Sequence, residues 1–96
     1  MYKQPSVYLL SNRKDGVLYT GVTSNLIKRI WQHKNKVVKG FSSKYNLHLL
    51  IWFELSESMD SAILREKQIK NWKREWKIQL VEKYNPLWGD LYSQII

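Results

Sequence analysis

Val17-Leu18-Tyr19-Thr20-Gly21-Val22-Thr23-Ser24-Asn25-Leu26-Ile27-Lys28-Arg29-Ile30-Trp31-Gln32-His33 is the stretch whose reading decides the fold. Val17 to Val22 is β-prone, rich in β-branched and aromatic side chains. Thr23 or Ser24 then offers the side-chain oxygen that caps a helix. Leu26, Ile27, Ile30 and Trp31 recur at helical spacing and predict a helix that buries them. At about 100° per residue, Arg29 and His33 fall together at one margin of that face. A margin holds a side chain firmly and still lets it reach a cleft. A strand carrying Tyr19 thus turns directly into a helix carrying Arg29 and His33.

Upstream, Val7-Tyr8-Leu9-Leu10 is a second short β-prone run. Asp15-Gly16 between the two runs is hairpin chemistry, so Tyr8 and Tyr19 belong on neighbouring strands. A loop of about six residues leaves their register open. Downstream, Lys34 to Lys44 is basic, contains Gly40, Ser42 and Ser43, and reads as a loop. Leu47 to Glu54 reads as a third strand, apolar enough to be central. Ser58 or Asp60 opens a long helical segment towards Tyr84, with a break near Asn71, and Asn85-Pro86 ends it. The aromatic tail Leu87 to Tyr92 is expected to pack back on the body. Residues 1–96 read as one domain with no repeat or linker.

The chain of 96 residues supports one modest core, burying about 60–65% of its unfolded surface. Its 44% hydrophobic content suits a folded globule rather than a disordered tail. Cysteine is absent, which excludes disulfides and thiolate metal sites and fits a reducing cytoplasm. No signal peptide is legible at the start, and the longest apolar stretch, Leu47 to Leu55, is too short to cross a bilayer. Sixteen Lys and Arg against eight acids give a net charge of +8, a field that attracts polyanions, most commonly nucleic acid. No basic amphipathic helix with an apolar opposite face points to a membrane.

Tyr8, Tyr19, Arg29 and His33 form a ladder whose rungs the strands and helix let converge. Phenols, a guanidinium and an imidazole at one spot suggest phosphate chemistry. Singly, each rung has a plainer reading: cross-strand packing for the tyrosines, a solvated basic pair for Arg29 and His33. Glu66 is harder to explain away. It falls within the apolar stripe of Met59, Ala62, Ile63 and Ile69, where an unpaired carboxylate is expensive. It either pairs with Lys70 four residues on or lines a site. A single carboxylate suits Mg²⁺, which keeps most of its waters and takes substrate phosphate. His33 and His48 lack zinc-motif spacing. Trp72 and Trp76 read as core rather than as a stacking platform.

These residues resemble the GIY-YIG nuclease domain over most of the chain. The two name-giving motifs stand here as Ser6-Val7-Tyr8 and Tyr19-Thr20-Gly21, followed by Asn25-Leu26, Arg29, His33 and Glu66. Tyr-x-Gly alone is weak; the full combination is specific. The chain looks most like small stand-alone bacterial members and is similar to the excinuclease amino-terminal endonuclease domain, which implies a DNA-repair setting. The resemblance implies an α/β (α+β) fold, a three-stranded antiparallel sheet flanked by helices, and metal-dependent cleavage of DNA with Mg²⁺ or Mn²⁺. It implies active-site roles for Tyr8, Tyr19, Arg29 and His33, metal ligation by Glu66, and a late asparagine, Asn85 or else Asn71. Ser6 and Thr20 depart from the family letters, and Val22 and Thr23 stand where some relatives have a lysine, with Lys28 nearby.

For cleavage, Tyr8, with His33 second, is the expected acceptor of the water proton; Tyr19 orients water or phosphate, and Arg29 binds the non-bridging oxygens. Lys28, Lys34, Lys36, Lys39, Lys44, Lys70 and Lys73 are expected to contact the nucleic-acid backbone without reading sequence. The alternatives are a non-cleaving nucleic-acid-binding module on the same fold and a protein-interaction adaptor.

Overall fold

The computed structural model describes residues 4–37 and 39–96; residues 1–3 and 38, within the spans read above as the start of the chain and the basic loop, lie outside them. Three strands, β1 (Ser6–Ser11), β2 (Leu18–Thr23) and β3 (Leu49–Leu55), form an antiparallel sheet in the order β2-β1-β3. The hairpin is the one the Asp-Gly signal predicts. Its loop is tied internally: the Val17 N–H donates to Asn12 Oδ1 at 3.1 Å, the Gly16 N–H donates to the Arg13 carbonyl, and Asp15 takes the left-handed conformation. This fixes the register the sequence left open. Tyr8 pairs with Gly21 and Leu10 with Tyr19, so both tyrosines point to one face of the sheet.

Helix α1 (Leu26–Lys34) packs on that face, burying Leu26 and Ile30 against Tyr8, Leu10, Leu47 and Leu50. Its third buried residue is His33, not the expected Trp31; Ile27 and Trp31 are exposed. The buried stripe is therefore 26, 30 and 33, a helical i, i+4, i+7 row. The cap is Asn25, whose Oδ1 accepts from the Lys28 N–H at 3.2 Å, while Thr23 braces the Asn25 backbone. The stretch expected as loop contains a short helix, α2 (Phe41–Lys44).

On the opposite face α3 (Met59–Lys70) and α4 (Arg74–Tyr84) supply Ala62, Ile69 and Val81 to a cluster with Val7, Leu9, Ile51 and Trp52. A Ser58–Ser61 capping box starts α3, and Asn71 ends it at the anticipated break. Trp72 packs against this core, but Trp76 is exposed. β1, covered on both faces, is the central strand; β3 is an edge, contrary to its apolar reading. A bulge after Leu9 leaves Ile51 as the extra residue on β3, and both Leu50 and Ile51 are buried. The tail closes part of the β3 edge: the Leu91 N–H donates to the Leu50 carbonyl at 2.7 Å and the Leu50 N–H to Asp90 Oδ1 at 3.2 Å. Trp88 is buried beneath, its Nε1–H donating to Glu82. Among the described residues no helix is long and apolar enough to cross a membrane.

Candidate active site

The site begins with a missing side chain. Gly21 stands opposite Tyr8, and a Cβ there would lie 2.5 Å from the Tyr8 hydroxyl oxygen and 2.8 Å from Cε2. The absence of that atom lets the Tyr8 ring lie across β2 and carry its hydroxyl to α1. There Tyr8 Oη hydrogen-bonds His33 Nε2 at 2.9 Å, and His33 Nδ1 hydrogen-bonds Ser42 Oγ at 2.8 Å. Tyr8, His33 and Ser42 are all buried. Tyr19 completes the cluster, its ring centroid 6.3 Å from that of Tyr8 and 5.7 Å from that of His33. No sequence signal marks Ser42: the basic loop carries no periodicity that ties one of its serines to a helix nine residues earlier.

Arg29 and Glu66 act on this cluster through their charges. Burial holds the Tyr8 phenol above its usual range; Tyr19 pushes the same way, the Arg29 guanidinium opposes, and Glu66 adds a smaller push upward. Burial, with help from Arg29, lowers His33 to about 4, so the imidazole is neutral at neutral pH. Among the described residues no carboxylate forms a salt bridge with Arg29, which lines a polar depression with Thr23, Ser24, Asn25, Lys28 and Gln32. Glu66 has only 13% of its side chain exposed and pairs loosely with Lys70 at 3.8 Å. Tyr8, Tyr19 and His33 thus come from β1, β2 and α1 to one place, and the charges of Arg29 on α1 and Glu66 on α3 bear on Tyr8.

The depressed His33 pKa makes a stability prediction. Between about pH 6.5 and 4 the unfolded chain protonates this histidine and the folded chain does not, so unfolding becomes easier as pH falls through that window. Urea unfolding is expected to lose on the order of 3 kcal/mol from this group over that range. The corresponding loss is expected to be absent in His33→Gln, and an imidazole NMR titration reads the pKa directly. A His33 midpoint near 6.5 overturns the assignment.

Two expected residues lie elsewhere. Asn85 ends α4 and uses its amide there: Nδ2 donates to the carbonyls of Ile51 at 3.0 Å and Gly89 at 2.8 Å, and Oδ1 accepts from the Gly89 N–H. It borders a separate cavity with Phe53, Glu54 and Arg65. Asn85 is therefore a cap and tether on the β3 edge, not part of the tyrosine cluster; Asn71 is the exposed C-cap of α3. Asn85→Ala is expected to lower unfolding free energy by about 2 kcal/mol in chemical denaturation. Any nuclease activity per folded molecule should hold, and its loss would return Asn85 to the site.

Lys34 is likewise committed. It ion-pairs with Asp90, donates to the His48 carbonyl at 2.8 Å and lies over the Tyr92 ring. Burial pushes the Asp90 carboxyl up, but hydrogen bonds from Lys34 and from the Tyr92 and Leu50 N–H groups outweigh it and hold the pKa below normal. Lys34 fastens the tail rather than facing solvent. Lys28 flanks Arg29; Lys36, Lys39 and Lys44 are exposed around α2; Lys70 sits beside Glu66, and exposed Lys73 lies over Trp76.

A β1–β2 hairpin that brings two motif tyrosines onto one face, with arginine and histidine on the next helix and glutamate on a later one, is the α+β arrangement of the GIY-YIG fold. The family model described as the GIY-YIG catalytic domain matches residues 4–85, and the chain belongs to that family. It is similar to the UPF0213 protein CPE1444 of Clostridium perfringens, 40% identical over 75 residues, 78% of this chain and 80% of that one. It is also similar to a UPF0213 protein of Syntrophus aciditrophicus, 36% identical over 83% of this chain and 91% of the relative. A third relative is the UPF0213 protein in the VLF1-GP41 intergenic region of Autographa californica nuclear polyhedrosis virus, 36% identical over 84% of this chain and 78% of its own length. No solved structure matches. The fold is nuclease-type.

Proposed function

We propose that the chain is a metal-dependent endonuclease that hydrolyses phosphodiester bonds of DNA. The observation that carries this reading is the Tyr8 hydroxyl: it is hydrogen-bonded to a neutral imidazole and lies within the fields of Arg29, Tyr19 and Glu66. Hydrolysis needs an activated water, a cradle for added negative charge and help for the leaving oxygen.

Each requirement has a candidate. Tyr8 as a free-standing base is disfavoured, because burial keeps its phenol protonated at neutral pH. The pair offers a relay, through an imidazole that its lowered pKa makes a weak acceptor. As Tyr8 Oη takes a proton from water, its own proton passes to His33 Nε2, the acceptor at 2.9 Å. This uses the tautomer with the proton on Nδ1, which Ser42 Oγ accepts. Tyr19 orients the water or the scissile phosphate. The Arg29 fork, with no salt-bridge partner among the described residues, binds the non-bridging oxygens.

Among the described residues no three His, Cys, Asp or Glu side chains gather into a cluster. A single oxygen ligand, Glu66, fits Mg²⁺ or Mn²⁺, ions that keep waters and take the rest of their shell from substrate phosphate. A bound divalent ion would supply positive charge at the leaving 3′ oxygen.

The test is nicking of labelled single- and double-stranded DNA, flaps, junctions and RNA with Mg²⁺ or Mn²⁺ and with EDTA. Metal-dependent cleavage of DNA is the expected result. Salt-sensitive binding with no cleavage of any substrate overturns it in favour of a binding module.

A further inference from the structure

Phe41 and Tyr45 are large aromatic residues that the fold leaves half in water, 48% and 39% exposed. They are not isolated surface residues. Phe41 stacks on Tyr19 with centroids 6.1 Å apart and an interplanar angle of 23°, and Tyr45 tilts against Phe41 at 4.6 Å. The row therefore runs from the buried Tyr8–His33 pair through Tyr19 out to solvent. It is also held in place: Ser42, between the two aromatics in α2, fixes that helix to His33 by the 2.8 Å hydrogen bond.

Cations lie on the same segment as the row. Lys44 lies over the Tyr45 ring at 5.5 Å, and Lys36 and Lys39 are exposed on the same segment. Aromatic faces beside lysines, continuous with Tyr19 of the proposed site, match what a nucleobase on a phosphodiester strand needs: a π surface for the base and positive charge for its backbone. In an intact duplex the base faces are stacked on their neighbours and cannot reach such a surface.

We infer that Phe41, backed by Tyr45, is a base-stacking subsite, and that the site takes nucleic acid with an unpaired nucleotide beside the cleaved linkage. This deepens the nuclease reading and rests on it only for the position of the scissile bond, since the stacking itself is binding.

The test is fluorescence anisotropy with a labelled single-stranded 12-mer in EDTA, alongside the same strand carrying one abasic position at a time. Phe41→Ala is expected to weaken binding about tenfold. Phe41→Leu, which keeps apolar bulk against Tyr19 but has no π face, should weaken it comparably, and Phe41→Trp should restore it. One abasic position should weaken the wild type to a similar degree and cost Phe41→Ala nothing more. Leucine binding like phenylalanine, or independent losses from the mutation and every abasic position, would overturn the inference. Non-additive losses without cleavage in Mg²⁺ or Mn²⁺ would uphold the platform and defeat the hydrolytic reading. Cleavage that ignores Phe41, with unchanged binding, would do the reverse.

Discussion

Glu66→Ala and Arg29→Ala are each expected to cut the rate of DNA nicking by about 100- to 1000-fold, the scale of losing a preorganised charge aimed at a transition state. The measurement is an initial rate under saturating Mg²⁺ or Mn²⁺, with circular dichroism and thermal melting on the same samples. The melting data matter because the two effects should point apart. Glu66 sits on an apolar stripe with 13% of its side chain exposed, and its protein partner is a loose contact with Lys70 at 3.8 Å. A helix-surface pair of that kind contributes a few tenths of a kcal/mol. Removing a poorly compensated carboxylate from such a position should leave the melting temperature unchanged or raise it, the stability–activity trade-off expected of a working site. Arg29 has no salt-bridge partner among the described residues, so its loss should also be tolerated by the fold. Arg29→Lys tests the fork: a point charge should recover only part of the rate. Undiminished cleavage in both alanine variants would remove Arg29 and Glu66 from the site.

The parts legible in the sequence were those encoded locally or by position. Asp15-Gly16 announced the hairpin, and Glu66 announced itself by interrupting an apolar stripe. What failed were inferences from polarity alone. Spacing and polarity run the stripe on α1 through Ile27 and Trp31, because a histidine does not look like a core residue; His33 is one because Tyr8 and Ser42 satisfy both ring nitrogens. β3 looked central because it is apolar, whereas its edge is closed by Asp90, Leu91 and Asn85, contacts forty residues distant at Leu50 that no periodicity records. Lys34 looked like one more solvent-facing cation in a basic run. Its pairing with Asp90 is visible only once the tail has folded back. Asn85 is expected in the site by likeness alone, and its hydrogen bonds tie it to Ile51 and Gly89 beside the β3 edge.

Gly21→Ala is expected to cost both stability and activity. Its reason is geometric rather than conformational, since the strand backbone at Gly21 suits any residue. The new Cβ would fall 2.5 Å from Tyr8 Oη and 2.8 Å from Cε2, well inside contact distance for a ring that is itself buried and packed. A flexible chain end would step aside, but Tyr8 cannot. It is fixed by the core cluster with Leu10, Leu26, Ile30 and Leu50 and by the hydrogen bond to His33. Either the ring rotates away or β1 and β2 separate locally. Both break the Tyr8–His33 bond, and overpacking of this kind costs about 1–3 kcal/mol. Urea denaturation should show that loss, and nicking should fall at least as far as in Tyr8→Phe, which removes the hydroxyl and leaves the ring. The decisive comparison is Gly21→Ala combined with Tyr8→Phe. With no hydroxyl left to displace, the added methyl should cost little further activity while still costing stability. Full additivity in activity would mean that Gly21 serves the site by some route other than making room for Tyr8, and the close approach of β2 to that ring would lose its functional meaning.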